Sequence, residues 1–156
     1  MMYRSTRGGD SVSLDAALLR GIASDGGLFV PESLPAFSVD DFSGANSDRE
    51  IAAKYLAPFF SGSSLEMQLS DVIADTFSFP LPVSDLNSAD GFAGLLELYH
   101  GPTAAFKDVG AGFLAACVSR LDSDAESPLL ILVATSGDTG GAVAAAFDGR
   151  PKNRQH

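Results

Sequence analysis

The chain has 156 residues, of which 46% are hydrophobic and 19% charged, so we expect one folded domain or two small ones rather than a disordered segment. Its 20 acidic and 10 basic residues give a net charge of −10, which argues against a nucleic-acid partner. One cysteine cannot form an internal disulfide, and with two histidines it offers little for a metal site. No apolar run reaches the roughly 18 residues of a membrane span, and no signal peptide is recognisable, so we expect a cytoplasmic protein.

The first half of the chain is predicted to be small, mainly helical and rich in loops. Residues 1–12 are polar and contain glycine, which is typical of an extended segment or a loop. Apolar residues recur at helical spacing over 14–22, and Ser13 just before them is a typical N-cap. Asp48 is expected to cap a second helix. The apolar face of that helix is Ile51, Tyr55, Leu56 and Phe59.

A third helix is predicted from Ser63 and Glu66, which have the spacing of a capping box. Its apolar face is Leu65, Leu69, Val72, Ile73 and Thr76. Two prolines within residues 77–82 end this helix, because proline lacks an amide donor and clashes with the preceding turn. The polar connector over residues 83–93 is the best candidate for a domain boundary.

The second half has the pattern of an α/β unit. Residues 95–99 read as a strand, residues 106–121 as a helix, and residues 129–134 as a strand buried on both faces. A glycine-rich stretch over 135–141 then leads into a helix that starts at Ala142. The order strand, helix, strand, helix implies a parallel sheet. Two strands alone do not make a stable sheet, so the unit looks incomplete.

The first segment that points to chemistry is His-Gly-Pro-Thr-Ala-Ala-Phe-Lys-Asp over residues 100–108. Lys107 is predicted at the start of a helix, where free amide groups and the helix dipole create positive potential. That potential, together with burial against Phe106, disfavours the ammonium form and favours the neutral amine that Schiff-base chemistry requires. The alternative is a solvated surface lysine beside Asp108.

The second segment is Ala-Thr-Ser-Gly-Asp-Thr-Gly-Gly-Ala over residues 134–142, between a predicted strand and a predicted helix. Its small residues let a ligand approach the backbone, and the amides at a helix N-terminus bind anions. Thr135, Ser136 and Thr139 supply hydroxyl groups. The segment matches neither the dinucleotide-binding fingerprint nor the P-loop nor the nucleophile elbow. A merely structural turn is the alternative.

Two other residues, Cys117 and His100, admit more than one interpretation. Cys117 lies on the apolar face of its helix, so it is interpreted as a small core residue rather than a nucleophile. His100 is either a catalytic base or a hydrogen-bonding residue of the Gly-Pro turn that follows it. A weaker alternative is a hydrolase whose catalytic groups are Ser136, His100 and Asp138.

Both segments resemble the threonine synthases, a family of pyridoxal-phosphate enzymes with the tryptophan-synthase-β-like fold. Residues 100–108 are similar to the family's cofactor-lysine motif, in which leucine usually stands at the position of Ala104. Residues 134–142 are similar to the family's glycine-rich loop. Near the start, Tyr-Arg-Ser-Thr-Arg-Gly over residues 3–8 and Asp-Gly-Gly-Leu-Phe-Val-Pro over residues 25–31 resemble its small N-terminal domain.

The resemblance implies an α/β fold in three parts. These are a small, mainly helical domain over residues 1–90, the first βαβα part of a parallel-sheet cofactor domain over residues 91–149, and an atypical polar tail over residues 150–156. Family members continue through the rest of the cofactor domain, including a second glycine-rich loop for the cofactor phosphate, to which nothing here corresponds. We therefore expect a truncated, N-terminal fragment that is inactive alone. The alternative is a non-catalytic remnant that serves as a binding or assembly piece.

The resemblance also implies the site residues. Lys107 would be the catalytic residue and carry the Schiff base with pyridoxal 5'-phosphate. The other cofactor-binding residues would be Ser136, Gly137, Asp138 and Thr139. The substrate carboxylate would be bound by Thr135, Ser136 and Thr139. The implied lyase reaction converts O-phosphohomoserine and water to threonine and phosphate, and Lys107 moves protons between the substrate carbons. No metal is implied, and the oligomeric state is left open.

Overall fold

The computed structural model describes residues 1–86, 91, 93–121 and 130–150. The helices within these residues are α1 (Leu14–Arg20), α2 (Asp48–Phe60), α3 (Leu69–Thr76), α4 (Lys107–Val118) and α5 (Asp138–Phe147). The strands are β1 (Met2–Ser5), β2 (Ser11–Ser13), β3 (Phe29–Pro31), β4 (Val83–Asp85) and β5 (Gly94–Leu96). Short 3₁₀ turns cover Val39–Phe42 and Glu66–Gln68. None of these helices is long and apolar enough to cross a membrane.

The N-terminal segment forms a three-stranded antiparallel sheet in the order β2-β1-β3. Burial alternates along β1, where Tyr3 and Ser5 are buried while Met2 and Arg4 are exposed, as the period of two in a strand requires. The Tyr3 hydroxyl donates to the Phe59 carbonyl at 3.0 Å and joins the sheet to α2. The extended interpretation of the first residues is therefore confirmed for β1 and β2.

The N-cap residue of each of the first two helices is a serine. Ser13 caps α1 as predicted, because its hydroxyl accepts from the Ala16 amide at 3.2 Å. The prediction that Asp48 caps α2 is wrong. Ser47 is the N-cap and accepts from the Glu50 amide at 3.3 Å, so Asp48 already lies in the first turn, where its negative charge meets the positive end of the helix dipole.

The predicted capping box at Ser63 and Glu66 is not formed. The Glu66 carboxylate accepts from the Gly62 amide at 2.8 Å, and the Ser63 hydroxyl donates to the Phe60 carbonyl at 2.7 Å. Both side chains thus stabilise the turn after α2 instead of opening a helix, and α3 begins only at Leu69.

The core joins the N-terminal sheet to α1, α2, α3 and α4. Its buried cluster is Tyr3, Leu14, Ala17, Phe60, Leu65, Val72, Ala116, Cys117 and Leu121. The predicted apolar face of the third helix is confirmed, and α3 ends at Thr76 before the prolines. The predicted face of α2 is wrong in part, because Ile51 and Tyr55 are about half exposed. Tyr55 stacks on Phe37 at the surface, with ring centroids 5.2 Å apart.

The second half contains α4 packed against both α3 and α5, beside a hairpin in which β4 and β5 pair antiparallel. The predicted strand at 95–99 is confirmed only for its first part. Residues 130–134 form no strand within the described part of the chain, and Leu129 lies outside it. A strand needs ladder hydrogen bonds to a neighbour, and none of the described strands pairs with this segment.

The division of the chain at residue 90 stays a prediction. The connector predicted over 83–93 contains β4 and the start of β5, while residues 87–90 and 92 lie outside the described part. From the far side of this connector, α4 contributes Ala116 and Cys117 to the same core cluster as the N-terminal sheet, and Leu121 just after α4 joins them. The tail predicted from residue 150 is described only at its first residue.

Candidate active site

A tight turn directly precedes α4 and places Lys107 at the first position of this helix. The Ala104 amide donates to the Gly101 carbonyl at 3.1 Å, and Ala104 itself has a φ of +56°. A positive φ is uncommon outside glycine, so the surrounding contacts must hold this conformation. Asp108 holds it from inside, since its carboxylate accepts from the Thr103 amide at 2.9 Å and from the Thr103 hydroxyl at 2.6 Å. The first residue of α4 is therefore Lys107, as predicted.

The Lys107 side chain is half-buried and faces apolar groups. Its Nζ lies 4.7 Å from the centroid of the Phe106 ring, and Phe106 is itself 62% exposed. Among the described residues, no carboxylate forms an ion pair with Lys107. The neighbouring Asp108 is buried and bonded to Thr103 instead. Lys107 therefore forms no ion pair with the carboxylate of Asp108, beside which the alternative interpretation placed it.

Lys107 lies in the wall of an open cleft of about 560 Å³. Its described lining residues are Leu81, Leu98, Phe106, Lys107, Val109, Gly110, Ala111, Leu114, Thr139 and Val143. Among them, only Lys107 and Thr139 carry a polar side chain. One amine and one hydroxyl in an otherwise apolar cleft are the arrangement expected of a small-molecule site.

The glycine-rich segment forms a turn and the first turn of α5. Its helix begins at Asp138, four residues earlier than predicted, because the Thr135 hydroxyl accepts from the Gly137 and Gly140 amides at 3.0 Å each. These bonds satisfy amides that a helix start leaves free. Gly137 has a φ of +153°, a conformation that side chains rarely allow.

Of the predicted site residues, the structure brings Lys107 and Thr139 into one cleft. Thr135, Ser136 and Gly137 in the turn before α5, and Asp138 at its first position, are exposed and do not line the cleft. The side chains of Ser136 and Asp138 form no hydrogen bond among the described residues. They are therefore free to meet a ligand at this end of α5.

His100 belongs to a cluster that the sequence did not reveal. Its Nε2 lies 2.6 Å from a Glu97 carboxylate oxygen, and its ring is 4.6 Å from the ring of Tyr99. The Ser84 hydroxyl donates to the other Glu97 oxygen. Hydrogen bonds from Ser84, His100 and Tyr99 lower the pKa of Glu97 to about 2. The cluster therefore ties the β4–β5 hairpin to the segment that leads to Lys107.

The weaker interpretations of the sequence receive no geometric support. Ser136 has no hydrogen bond to His100 in the described structure, so the hydrolase triad is not assembled. Cys117 is fully buried in the core, as predicted, and burial raises the pKa of its thiol to about 12. A thiol with that pKa supplies almost no thiolate at neutral pH. No group of three candidate metal ligands occurs among the described residues.

Several residues of the cleft carried no recognisable signal in the sequence. Leu81, Leu98 and Val143 come from three separate segments, and only the fold brings them together. The role of Thr103 was also missed, although a threonine five residues before an aspartate at a helix start offers a weak signal of local bonding.

Known sequences that resemble this chain include threonine synthases. Residues 2–77 match the family profile described as threonine synthase N terminus. The chain is 38% identical over 152 residues to the threonine synthase of Escherichia coli, covering 96% of this chain and 34% of that protein. It is 35% identical over 147 residues to the threonine synthase of Pseudomonas aeruginosa, covering 91% of this chain and 31% of that protein.

Solved structures agree with these sequence matches. The PLP-bound threonine synthase from Brucella melitensis superposes with a TM-score of 0.84 at 36% identity, covering 97% of this chain and 34% of that one. The Escherichia coli threonine synthase gives a TM-score of 0.83 at 36% identity. The predicted α/β fold class, matching the N-terminal region of threonine synthase structures, is therefore confirmed. The parallel pairing predicted within it is not formed among the described strands, where β4 and β5 pair antiparallel. The chain spans about a third of the length of the relatives it matches.

Proposed function

We propose a function on the premise that the chain belongs to the threonine synthase family, whose N-terminal third it matches. We propose that this chain forms the part of the active site that carries the catalytic lysine, in a pyridoxal-phosphate lyase. That lyase converts O-phosphohomoserine and water to threonine and phosphate. The observation that carries this proposal is the half-buried Lys107 amine, without an ion-pair partner among the described residues, in an apolar cleft shared with Thr139.

The cleft fits the aromatic cofactor of this family. Its volume of about 560 Å³ lies within the roughly 300–1,000 Å³ of small-molecule sites, and its walls are apolar. Lys107 would hold the cofactor through its amine. Thr139 would contact it from the first turn of α5, with the exposed turn Ser136, Gly137 and Asp138 next to it. The donor set of one amine, hydroxyls and free helix amides suits an aldehyde and an anion.

The residues of this chain then have separate tasks. When bound, the cofactor supplies an electron sink for the charge that develops on the substrate. With its amine free, Lys107 would take a proton from one substrate carbon and return it to another. The apolar walls offer bound groups few competing polar partners, which would strengthen electrostatic interactions at the amine once a ligand fills the cleft.

The start of α5 is suited to the carboxylate of the substrate. The Thr135 oxygen accepts two amide hydrogens, which leaves its own proton available to a carboxylate oxygen. Ser136 and Thr139 add further hydroxyl donors, and the free amides of the first helical turn favour an anion. We propose that these three residues orient the substrate above the lysine.

A non-catalytic binding or assembly role is the second candidate. It is favoured by apolar side chains that are exposed in the described structure, among them Leu130 and Leu132.

The net charge of −10 supports a protein without a nucleic-acid partner, and we propose that it acts in the cytoplasm.

The test is a chimera in which this chain replaces the matching third of the Escherichia coli relative. We expect the chimera to release phosphate from O-phosphohomoserine when pyridoxal phosphate is present. Lys107→Ala should abolish this release, whereas Lys54→Ala, a control at an exposed lysine, should leave it unchanged. A folded chimera that binds the cofactor but whose phosphate release is unaffected by Lys107→Ala would contradict the proposal.

A further inference from the structure

We infer that Asp108 and Thr103 form a positioning pair, which fixes the Lys107 amine relative to the start of α5. This inference rests on the proposed function, since it concerns how the lysine is presented to the cofactor. Neither side chain lines the cleft. Both act indirectly, because their hydrogen bonds fix the loop that precedes Lys107.

Asp108 is buried, with 5% of its surface exposed, and its carboxylate turns back toward the preceding loop. Both of its oxygens are used, one by the Thr103 amide at 2.9 Å and one by the Thr103 hydroxyl at 2.6 Å. Among the described residues, no cation pairs with this carboxylate. Two short bonds from one residue therefore provide its stabilisation, and bonds to a charged group are the stronger kind.

The loop is shaped to receive this carboxylate. A Cβ atom at Gly101 would lie 2.7 Å from the Asp108 Cβ and 2.9 Å from its Cγ, so only glycine fits there. The positive φ of Ala104 lies between Thr103 and the helix, where the closed loop enforces it. Because Lys107 directly precedes Asp108 at the first turn of α4, any movement of this loop redirects the amine.

Thr103 also faces the other side of the site. Its methyl carbon lies 4.0 Å from the position that a Cβ atom at Gly141 would occupy. Gly141 belongs to α5, two residues after Thr139. The same residue thus bonds to the first turn of α4 through its hydroxyl and faces α5 through its methyl group. Thr103 therefore fixes the position of the Lys107 amine relative to the Thr139 hydroxyl.

The experiment compares two substitutions at one position. Thr103→Val keeps the shape of the side chain and removes the hydroxyl, while Thr103→Ser keeps the hydroxyl. The 156-residue chain is treated with pyridoxal phosphate, trapped with borohydride at timed intervals, and the label on each lysine is quantified. Loss of one bond to a charged group predicts about tenfold slower labelling of Lys107 in Thr103→Val. Thr103→Ser should stay within about twofold of the unsubstituted chain by the same reasoning.

Lys54 provides the internal reference, because it lies on α2 and bonds to the carbonyls of Asp41 and Ser43 far along the chain from this loop. A general loss of structure would change the labelling of both lysines, whereas a positioning role changes Lys107 alone. Asp108→Asn is the second variant, since its amide group would face the Thr103 donors. If Thr103→Val does not fold, as judged by circular dichroism, the Lys107-to-Lys54 labelling ratio of Asp108→Asn decides.

The possible failures are distinguishable. If Lys107 of the unsubstituted chain is labelled no faster than Lys54, the proposed function fails. If Lys107 is labelled preferentially, but the valine and serine variants label equally fast, or folded Asp108→Asn matches the unsubstituted chain, the positioning pair is refuted while the proposed function stands.

Discussion

Glu97 illustrates how a single side chain outside the cleft supports the segment that carries the lysine. Its carboxylate binds Ser84 on β4 and His100 at the entrance to the Lys107 loop. Because these bonds favour the ionised form, they lower the pKa of Glu97 from an ordinary 4.5 to about 2. A pKa that is lower in the folded than in the unfolded chain stabilises the fold above the unfolded value.

We therefore predict a loss of stability between about pH 4.5 and pH 2 that depends on Glu97. As the pH falls through this range, the unfolded carboxylate takes up its proton before the folded one, and the contribution of Glu97 disappears. Thermal unfolding of the unsubstituted chain and of Glu97→Gln, measured in steps from pH 6 to pH 2, checks this. The two curves should converge at the acid end, and curves that stay parallel would contradict the prediction.

At the scale of elements, α4 and α5 show what sequence patterns predict and what they miss. The α4 start at Lys107 was predictable, since the turn residues before it and the apolar spacing after it agree. The start of α5 was not predictable, because the glycine-rich stretch gives no sign that the Thr135 hydroxyl accepts from the amides of Gly137 and Gly140. The strand expected after residue 129 followed from an apolar run alone, and such a run does not show where a pairing partner lies. The shared cleft depends on packing between helices that are distant in sequence.

Two glycines of α4 allow helix stability to be separated from the cleft. Gly110 and Gly112 both have open space where a Cβ atom would be, but only Gly110 lines the cleft. Alanine at either position should raise the free energy of unfolding by about 0.4–1 kcal/mol, because it restricts the unfolded chain and favours helix. Only Gly110→Ala should weaken pyridoxal phosphate binding, which titration by absorbance measures alongside denaturant unfolding. Equal binding by the two variants would place the cofactor elsewhere.

At the scale of the whole molecule, residues 130–133 form an exposed apolar surface, in a chain that spans about a third of the length of its relatives. Exposed fractions along Leu130, Ile131, Leu132 and Val133 alternate as 76, 37, 83 and 37%. Leu95 and Leu96 of β5 are about half exposed as well. Exposed apolar side chains of this kind promote association. The acidic net charge opposes it but does not cover the surface.

We predict that the 156-residue chain self-associates through this surface. Leu132→Lys should shift its sedimentation profile toward the monomer, because it places a charge on the most exposed residue of the segment. Met67→Lys is the matched control, since Met67 is 91% exposed and lies in the 3₁₀ turn before α3. A monomeric profile for the unsubstituted chain, or an equal effect of both substitutions, would contradict the prediction.

We propose that Lys107 holds the cofactor, and identifying which amine of this chain forms the Schiff base tests this directly. The chain has three lysines, Lys54, Lys107 and Lys152, so a borohydride-trapped pyridoxal label can be assigned by peptide mass mapping. We expect the label on Lys107 at cofactor concentrations where the other two lysines remain unmodified, and Lys107→Ala should remove it. A label found first on Lys54 or Lys152, or one that persists in Lys107→Ala at the same cofactor concentration, would contradict the account.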